Sequence, residues 1–213
     1  MLRCRKFLIS IICLIIFGFT ISSYAEEEIE DLIDIAESKS KIIAIIEGRK
    51  TITIDLRPNE RALWSGSKGY LGAFLTNDRF FVISTSSSTW HILPLKSGEP
   101  EKANVSLSPY IVLLVTGDRA IGYDASSNRF IEIQLPLYDE LLAAEAEKYV
   151  AVVITSSRAF GLAAKTSTFK EIRLGVRETI ESIKITASKA TIRTSDRLLT
   201  FGAKGSAWKE HRF

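Results

Sequence analysis

The chain has 213 residues, of which 46% are hydrophobic, 25% charged and 9% aromatic, with twelve glycines and five prolines. These values are ordinary for globular proteins and exclude collagen-like, low-complexity and wholly disordered chains. The formal net charge is +3, and the first segment of the chain accounts for all of it.

Arg3, Arg5 and Lys6 precede an apolar run over residues 7–21, which is shorter than the ~20 residues a membrane-spanning helix needs. Ser23 and Ala25 then supply small residues ahead of a cleavage point, and Glu26, Glu27 and Glu28 follow. The pattern reads as a secretory signal peptide over residues 1–25. Residues 26–213 are then one mature domain, periplasmic or secreted, with no membrane span left after cleavage; an uncleaved N-terminal anchor is the alternative. Neither Cys4 nor Cys13 follows a small-residue lipobox. Cleavage removes three of the 28 Lys and Arg and none of the 25 Asp and Glu, which leaves 25 of each and a net charge of zero. A basic, nucleic-acid-binding reading loses its support. Both cysteines go as well, so the mature chain has no disulfide, no Cys–zinc site and no Cys nucleophile.

Beyond this segment the sequence repeats. Thr76-Asn77-Asp78-Arg79, Thr116-Gly117-Asp118-Arg119, Thr155-Ser156-Ser157-Arg158 and Thr194-Ser195-Asp196-Arg197 place their arginines 40, 39 and 39 residues apart. An aromatic follows each arginine by eleven positions (Trp90, Phe130, Phe169, Trp208), and Leu95, Leu135, Leu174 or Phe213 comes five further on. Each unit reads as strands. A continuous apolar run precedes the tetrapeptide, as in residues 110–115 and 149–154, and suits a strand buried on both faces. The two residues between Thr and Arg suit a tight hairpin turn. A second strand, a Ser-rich loop and a third strand carrying the aromatic follow. A fourth segment, over residues 104–107, 141–146 or 180–186, is expected to complete the unit. The last copy stops after its third strand. Residues 30–49 align without a gap to residues 178–197, so residues 29–36 are expected to supply the missing strand and residues 41–46 to open a further, shorter unit with its third strand near residues 61–65.

This organisation resembles a β-propeller, in which four-stranded blades of about 40 residues surround a channel and the N-terminal strand closes the ring. The resemblance covers the mature chain at the level of architecture. The Gly-His and Trp-Asp signature of WD40 blades and the paired glycines of kelch repeats are absent. It implies an all-β chain of five blades of about 39 residues, closed by the N-terminal strand pairing into the last blade. Four or six blades, or an up-and-down barrel or sandwich, are the alternatives.

Few residues point to chemistry. The repeated arginines read as part of each blade's construction rather than as an anion-binding ring, and Glu132, Glu171 and Glu210 as solvated or paired acids. Departures from the repeat are the better candidates. Arg193 stands where other units have Leu75, Val115 and Ile154, which puts a charge near a channel wall if that strand lines one. Trp64 and Tyr70 flank a glycine-containing loop and could stack on a sugar or peptide, with a core role for Trp64 as the simpler account. Lys165 and Lys204 sit in Ser/Thr-containing loops on one rim. His91 and His211 have no neighbour at ligand spacing, no Gly-x-Ser-x-Gly elbow and no phosphate-cradling loop is present, and no catalytic residue, metal site or cofactor is assigned. The reading is a non-catalytic binding or scaffolding module with a protein or cell-envelope partner and no nucleic acid. A glycan-binding or glycan-cleaving propeller is the alternative.

Overall fold

The computed structural model describes residues 29–204 and 207–213; the expected signal peptide lies outside them. The described chain is almost wholly β. A three-stranded sheet holds β1 (Ile33–Glu37), β2 (Lys41–Ile46) and β3 (Lys50–Asp55). Four four-stranded sheets follow, each an antiparallel meander in chain order. The second sheet comprises β4 (Ala62–Lys68), β5 (Leu71–Thr76), β6 (Arg79–Ser84) and β7 (His91–Pro94). The third comprises β8 (Asn104–Leu107), β9 (Ile111–Val115), β10 (Arg119–Asp124) and β11 (Arg129–Gln134). The fourth comprises β12 (Leu141–Glu147), β13 (Val150–Thr155), β14 (Arg158–Ala163) and β15 (Lys170–Arg173). The last comprises β16 (Ile180–Thr186), β17 (Lys189–Thr194), β18 (Arg197–Gly202) and β19 (Lys209–Arg212).

The repeat is therefore real, but its phase is shifted by one strand from the sequence expectation. Residues 104–107, 141–146 and 180–186 do not complete the preceding unit. They open the following sheet, as β8 pairs with β9, β12 with β13 and β16 with β17. Residues 61–65 likewise open the second sheet through β4–β5 pairing instead of finishing the first. The last sheet has four strands of its own, and β1 pairs with β2, Ile35 opposite Ala44. The N-terminal strand thus does not close a ring by joining the last sheet. Two consecutive sheets are joined by a connection as short as a hairpin loop, so periodicity alone could not tell which side of it a strand pairs on.

The core lies between sheets. β5, β9 and β13 are buried along their whole length, because alternate side chains pack against different neighbours. In the fourth sheet Ala151, Val153, Phe160 and Leu162 meet Ile111, Leu113, Val115 and Ala120 of the third. Its opposite face, Val150, Val152, Ile154 and Ala159, meets Ala190, Ile192, Leu199 and Phe201 of the last. The second and third sheets pack in the same sense, Leu71, Ala73, Leu75 and Val82 against Val112, Leu114, Ile121 and Tyr123. Each sheet thus offers one face forward and the other back.

The first sheet breaks this order. Its Ile42 and Ala44 align with Ala190 and Ile192, which face the sheet before them. Yet Ile42 and Ala44 pack forward, with Ile33 and Ile46, against Phe74, Phe81, Ile83 and Trp90. The sheet is turned over and caps the back face of the second. Its own hairpin also differs: Glu47 and Gly48 take positive φ of 50° and 65°, and β3 begins at Lys50, so Arg49 is not equivalent to the other repeated arginines.

No described core cluster joins the last sheet to the first. The two end sheets accordingly alternate: Ala190, Ile192 and Thr194 of β17 are buried while Lys189 and Arg193 are exposed, where β13 is apolar on both faces. Polar residues on an outward terminal face are how repeat proteins keep their ends soluble.

Candidate functional site

The conserved-looking tetrapeptide is explained within each sheet. Thr76 Oγ1 accepts the Arg79 N–H at 2.8 Å, Thr155 that of Arg158 at 3.1 Å and Thr194 that of Arg197 at 3.1 Å, which closes the hairpin turn. Each arginine then reaches sideways. Arg119 Nη2 donates to Glu99 Oε2 at 2.7 Å and to the Pro94 carbonyl, while Arg119 Nη1 donates to Glu132 at 2.9 Å. Arg197 holds Glu178 at 2.9 Å, the Arg173 carbonyl at 2.7 Å and Glu210, and Arg79 holds Glu60 and the Asp55 carbonyl. Each of these three arginines ties its sheet to the last strand of the one before. Glu60, Glu99, Asp139 and Glu178 stand 19 or 20 residues ahead of the arginines. That repeated acid was missed in the sequence, although the fixed offset could have revealed it. In the fourth sheet Asp139 is too short to do the same work: it accepts from Thr155 and Ser157, and among the described residues Arg158 hydrogen-bonds Glu171 instead.

The electrostatics follow. A hydrogen bond from Arg197 holds the Glu178 carboxyl down at about 2, more than offsetting the opposing effect of burial. For Glu60 and Glu99, burial raises the pKa, but bonds from Arg79 and Arg119 respectively, with backbone N–H groups, outweigh it and leave both below the usual value. Because the folded pKa of Glu178 is depressed, its contribution is fully present above pH ~4.5 and is lost as pH falls towards 2. A shift of that size corresponds to about 3 kcal/mol. The urea midpoint is expected to drop between pH 5.5 and 3, and Glu178→Gln to flatten that drop; an equal pH response in the variant would refute the assignment.

A second repeat lies in the turns that lead into β5, β9 and β13. Tyr70, Tyr110 and Tyr149 each stand nine residues before an arginine. Tyr70 and Tyr110 lie with centroids 5.0 Å apart, and Tyr110 and Tyr149 stack at 4.8 Å and 20°. Burial, with the neighbouring Tyr149 and Tyr70 hydroxyls, pushes the Tyr110 pKa well up. The next position in the series is Ser188, and there the ladder ends. A cavity of about 820 Å³ opens beside it, lined by Tyr149, Ser188, Ala164, Gly202, Ala203 and Ala207, with Lys165, Lys189, Lys204 and Lys209 among its walls. Among the described residues these four lysines have no acidic partner, and no carboxylate lines the cavity. Lys189 takes the place of Val150 one repeat earlier, and where Val150 is buried against the last sheet, Lys189 is exposed among the described residues. Lys165 has φ +69°, a left-handed conformation that favours glycine and costs a side-chain-bearing residue about 1 kcal/mol.

The sequence-based candidates separate in space. Lys165 and Lys204 come together in this cavity. Arg193 lies on the outward face of the last sheet, 60% exposed, pairs with Glu181 at 2.8 Å and lies over the Phe213 ring; no channel wall is involved. Trp64 belongs to β4, packs against the core between the second and third sheets, and borders a separate cavity of about 440 Å³. Tyr70 is a rung of the tyrosine ladder. His91 Nε2 lies 3.1 Å from Ser87 Oγ, and burial lowers its pKa. Ser87 is only 4% exposed and, with Ser84 and Tyr123, donates to the Asn128 side-chain carbonyl. This Ser–His contact is closed to substrate and zips two loops together. Among the described residues no three His, Cys, Asp or Glu could hold a metal ion, and no helix is long and apolar enough to cross a membrane.

No family model and no curated protein sequence matches the chain. Solved structures do. Prp20p from Saccharomyces cerevisiae, reported with its binding to Gsp1p and histones, is 9% identical with a TM-score of 0.42, over 82% of this chain and 56% of that one. Hsv2 from Kluyveromyces lactis is 9% identical with a TM-score of 0.36, over 86% and 74%. PorZ, a surface component of the type-IX secretion system of Porphyromonas gingivalis, is 11% identical with a TM-score of 0.38, over 86% and 28%. The chain thus spans little more than half the length of Prp20p. By the pairing and stacking of its own sheets, the chain is an all-β repeat protein with the blade architecture of a β-propeller, and among the described residues no core cluster closes the last sheet onto the first.

Proposed function

We propose that the chain is an exported, non-catalytic binding module that captures a protein partner through an acidic segment seated in the lysine-lined cavity. Residues 26–213 act as its working unit, with five sheets: four stacked in propeller order and the first turned over as a cap. The observation that carries the reading is the set of four lysines without an acidic partner around one cavity. Scattered surface lysines need no explanation. Here two come from equivalent loops of neighbouring sheets, and Lys165 keeps its side chain in a conformation where glycine is cheaper. A strained residue held at a ligand-sized opening points to use. Export rests on the signal-like pattern of residues 1–25.

The test is cross-linking of tagged protein in intact envelopes, with partners identified by mass spectrometry. Wild type is expected to yield a dominant protein partner that the Lys165→Glu, Lys204→Glu double variant loses while melting at an unchanged temperature. Equal capture by the double variant, or retention on polysaccharide fractions instead, overturns the reading. Lys165→Gly offers a finer check. It is expected to raise stability by about 0.5–1 kcal/mol, by removing left-handed strain, while weakening capture. A loss of stability would show that the side chain serves packing instead.

A further inference from the structure

The end of the tyrosine ladder narrows the kind of acidic segment the cavity takes. Three successive sheets place a tyrosine at one position, and the rings stack on one another. The fourth places Ser188 there, and its side chain is too small to continue the stack. Tyr149 and Ser188 both line the cavity, and the Lys148 ammonium stands 5.7 Å from the centroid of the Tyr149 ring. Ala164, Gly202, Ala203 and Ala207 add small apolar groups to the lining, with Thr200 and the four lysines. At about 820 Å³ the cavity is larger than a bare anion needs and suits a ring with flanking chain.

We propose that this cavity, if it is the capture site argued above, recognises an acidic peptide carrying an aromatic side chain. The ring seats against Tyr149 as the missing rung, and carboxylates on either side meet Lys165, Lys189, Lys204 and Lys209. The division of labour is physical. Aromatic pairs favour stacked or edge contacts and add to the burial of the ring. The lysines are exposed enough to speed association and confer salt dependence more than raw affinity. An acidic peptide without a ring therefore binds weakly, and a neutral aromatic peptide associates more slowly and without salt dependence.

The ladder itself supplies the decisive variant. Ser188→Tyr places in the last sheet the residue that Tyr70, Tyr110 and Tyr149 occupy in the others, and fills the space from within. Its position in a turn tolerates tyrosine in three sheets already, so the variant is expected to fold, which a thermal melt checks. Binding is read by fluorescence anisotropy with a labelled Glu-Asp-Phe-Asp-Glu peptide and the same peptide with alanine at its centre. An oligosaccharide of uronic acids serves as a third probe. Wild type is expected to bind the phenylalanine peptide about tenfold more tightly than the alanine one. In Ser188→Tyr that difference is expected to fall below about twofold, and in Lys204→Glu both peptides weaken together. If both peptides bind equally and Ser188→Tyr changes nothing, the ring is refuted while the acidic-capture reading stands. If neither peptide binds and the oligouronate does so in a lysine-dependent way, both are overturned in favour of a glycan site.

Discussion

Glu99→Ala is expected to be among the most damaging single substitutions in this protein, costing about 3–5 kcal/mol. The side chains of Glu99 and Arg119 are only 5% and 6% exposed. Glu99 accepts both Nε and Nη2 of Arg119, with the Lys96 N–H at 2.6 Å and the Thr116 hydroxyl at 3.2 Å. Removing the acid leaves a buried guanidinium with one remaining carboxylate, Glu132, at its solvent side. It also takes the acceptor from the Lys96 backbone N–H, while the Thr116 hydroxyl keeps Asp118 and the Arg119 carbonyl. The cost arises from the charge left behind, so the double variant Glu99→Leu, Arg119→Met is expected to recover much of it. Asp139→Ala should cost far less, because Asp139 makes no hydrogen bond to its arginine and Arg158 is about one-third exposed. Urea denaturation of the three variants beside wild type decides the matter. A loss below about 1 kcal/mol for Glu99→Ala, or a double variant no better than the single, would remove the buried pair from the account of stability.

Gly161→Val is the second large effect, and it bears on the lysine-lined cavity. Gly161 lies in β14 on the face that meets the last sheet. A Cβ there would sit 2.6 Å from Cγ and Cδ1 of Phe201 and 2.8 Å from Cε1. Phe201 is 1% exposed and packs its ring 5.2 Å from Trp208, so it has nowhere to retreat. Gly122, one repeat earlier, meets instead the far end of the flexible Leu162 side chain, which can turn away. Overpacking of this kind costs about 2–3 kcal/mol, or roughly 6–10 °C in Tm for a chain of this size. Because Phe201 sits between Thr200 and Gly202 of the cavity wall, the strain reaches the lysines as well. Phe201→Leu should relieve the variant partly. A Gly161→Val protein that melts like wild type would show that the interface between the last two sheets is looser than this packing implies.

What was legible in the sequence followed from spacing. The Thr-x-x-Arg turn, the apolar run before it and the aromatic after it recur at a fixed interval, and they became β5–β6, β9–β10, β13–β14 and β17–β18 with their turns as expected. Lys165 and Lys204 were legible as loop lysines one repeat apart, and the structure brings them to one cavity. Arg193 was legible as an exception, but its meaning was not. Among the described residues it is exposed where Leu75, Val115 and Ile154 are buried, and which neighbours a strand packs against is not written in its spacing. The repeated acids and the tyrosine ladder carried a signal at fixed offsets and were passed over, since each looks ordinary until its partner is seen beside it.

Local chemistry set the strands, the turns and the all-β class, since periodicity, turn residues and alternation act over a few neighbours. Two matters lay beyond it. The shared edge between consecutive sheets could be drawn on either side of each short connection, and only hydrogen-bond pairing placed β8, β12 and β16 with the strands that follow them. The first sheet carries the same pattern as the last, yet packs through the opposite sense. A face of Ile42, Ala44 and Ile46 reads as buried whichever neighbour buries it, because apolar burial has no direction. The tertiary structure chose the neighbour, and it also brought Lys165, Lys189, Lys204 and Lys209 to one cavity beside Tyr149.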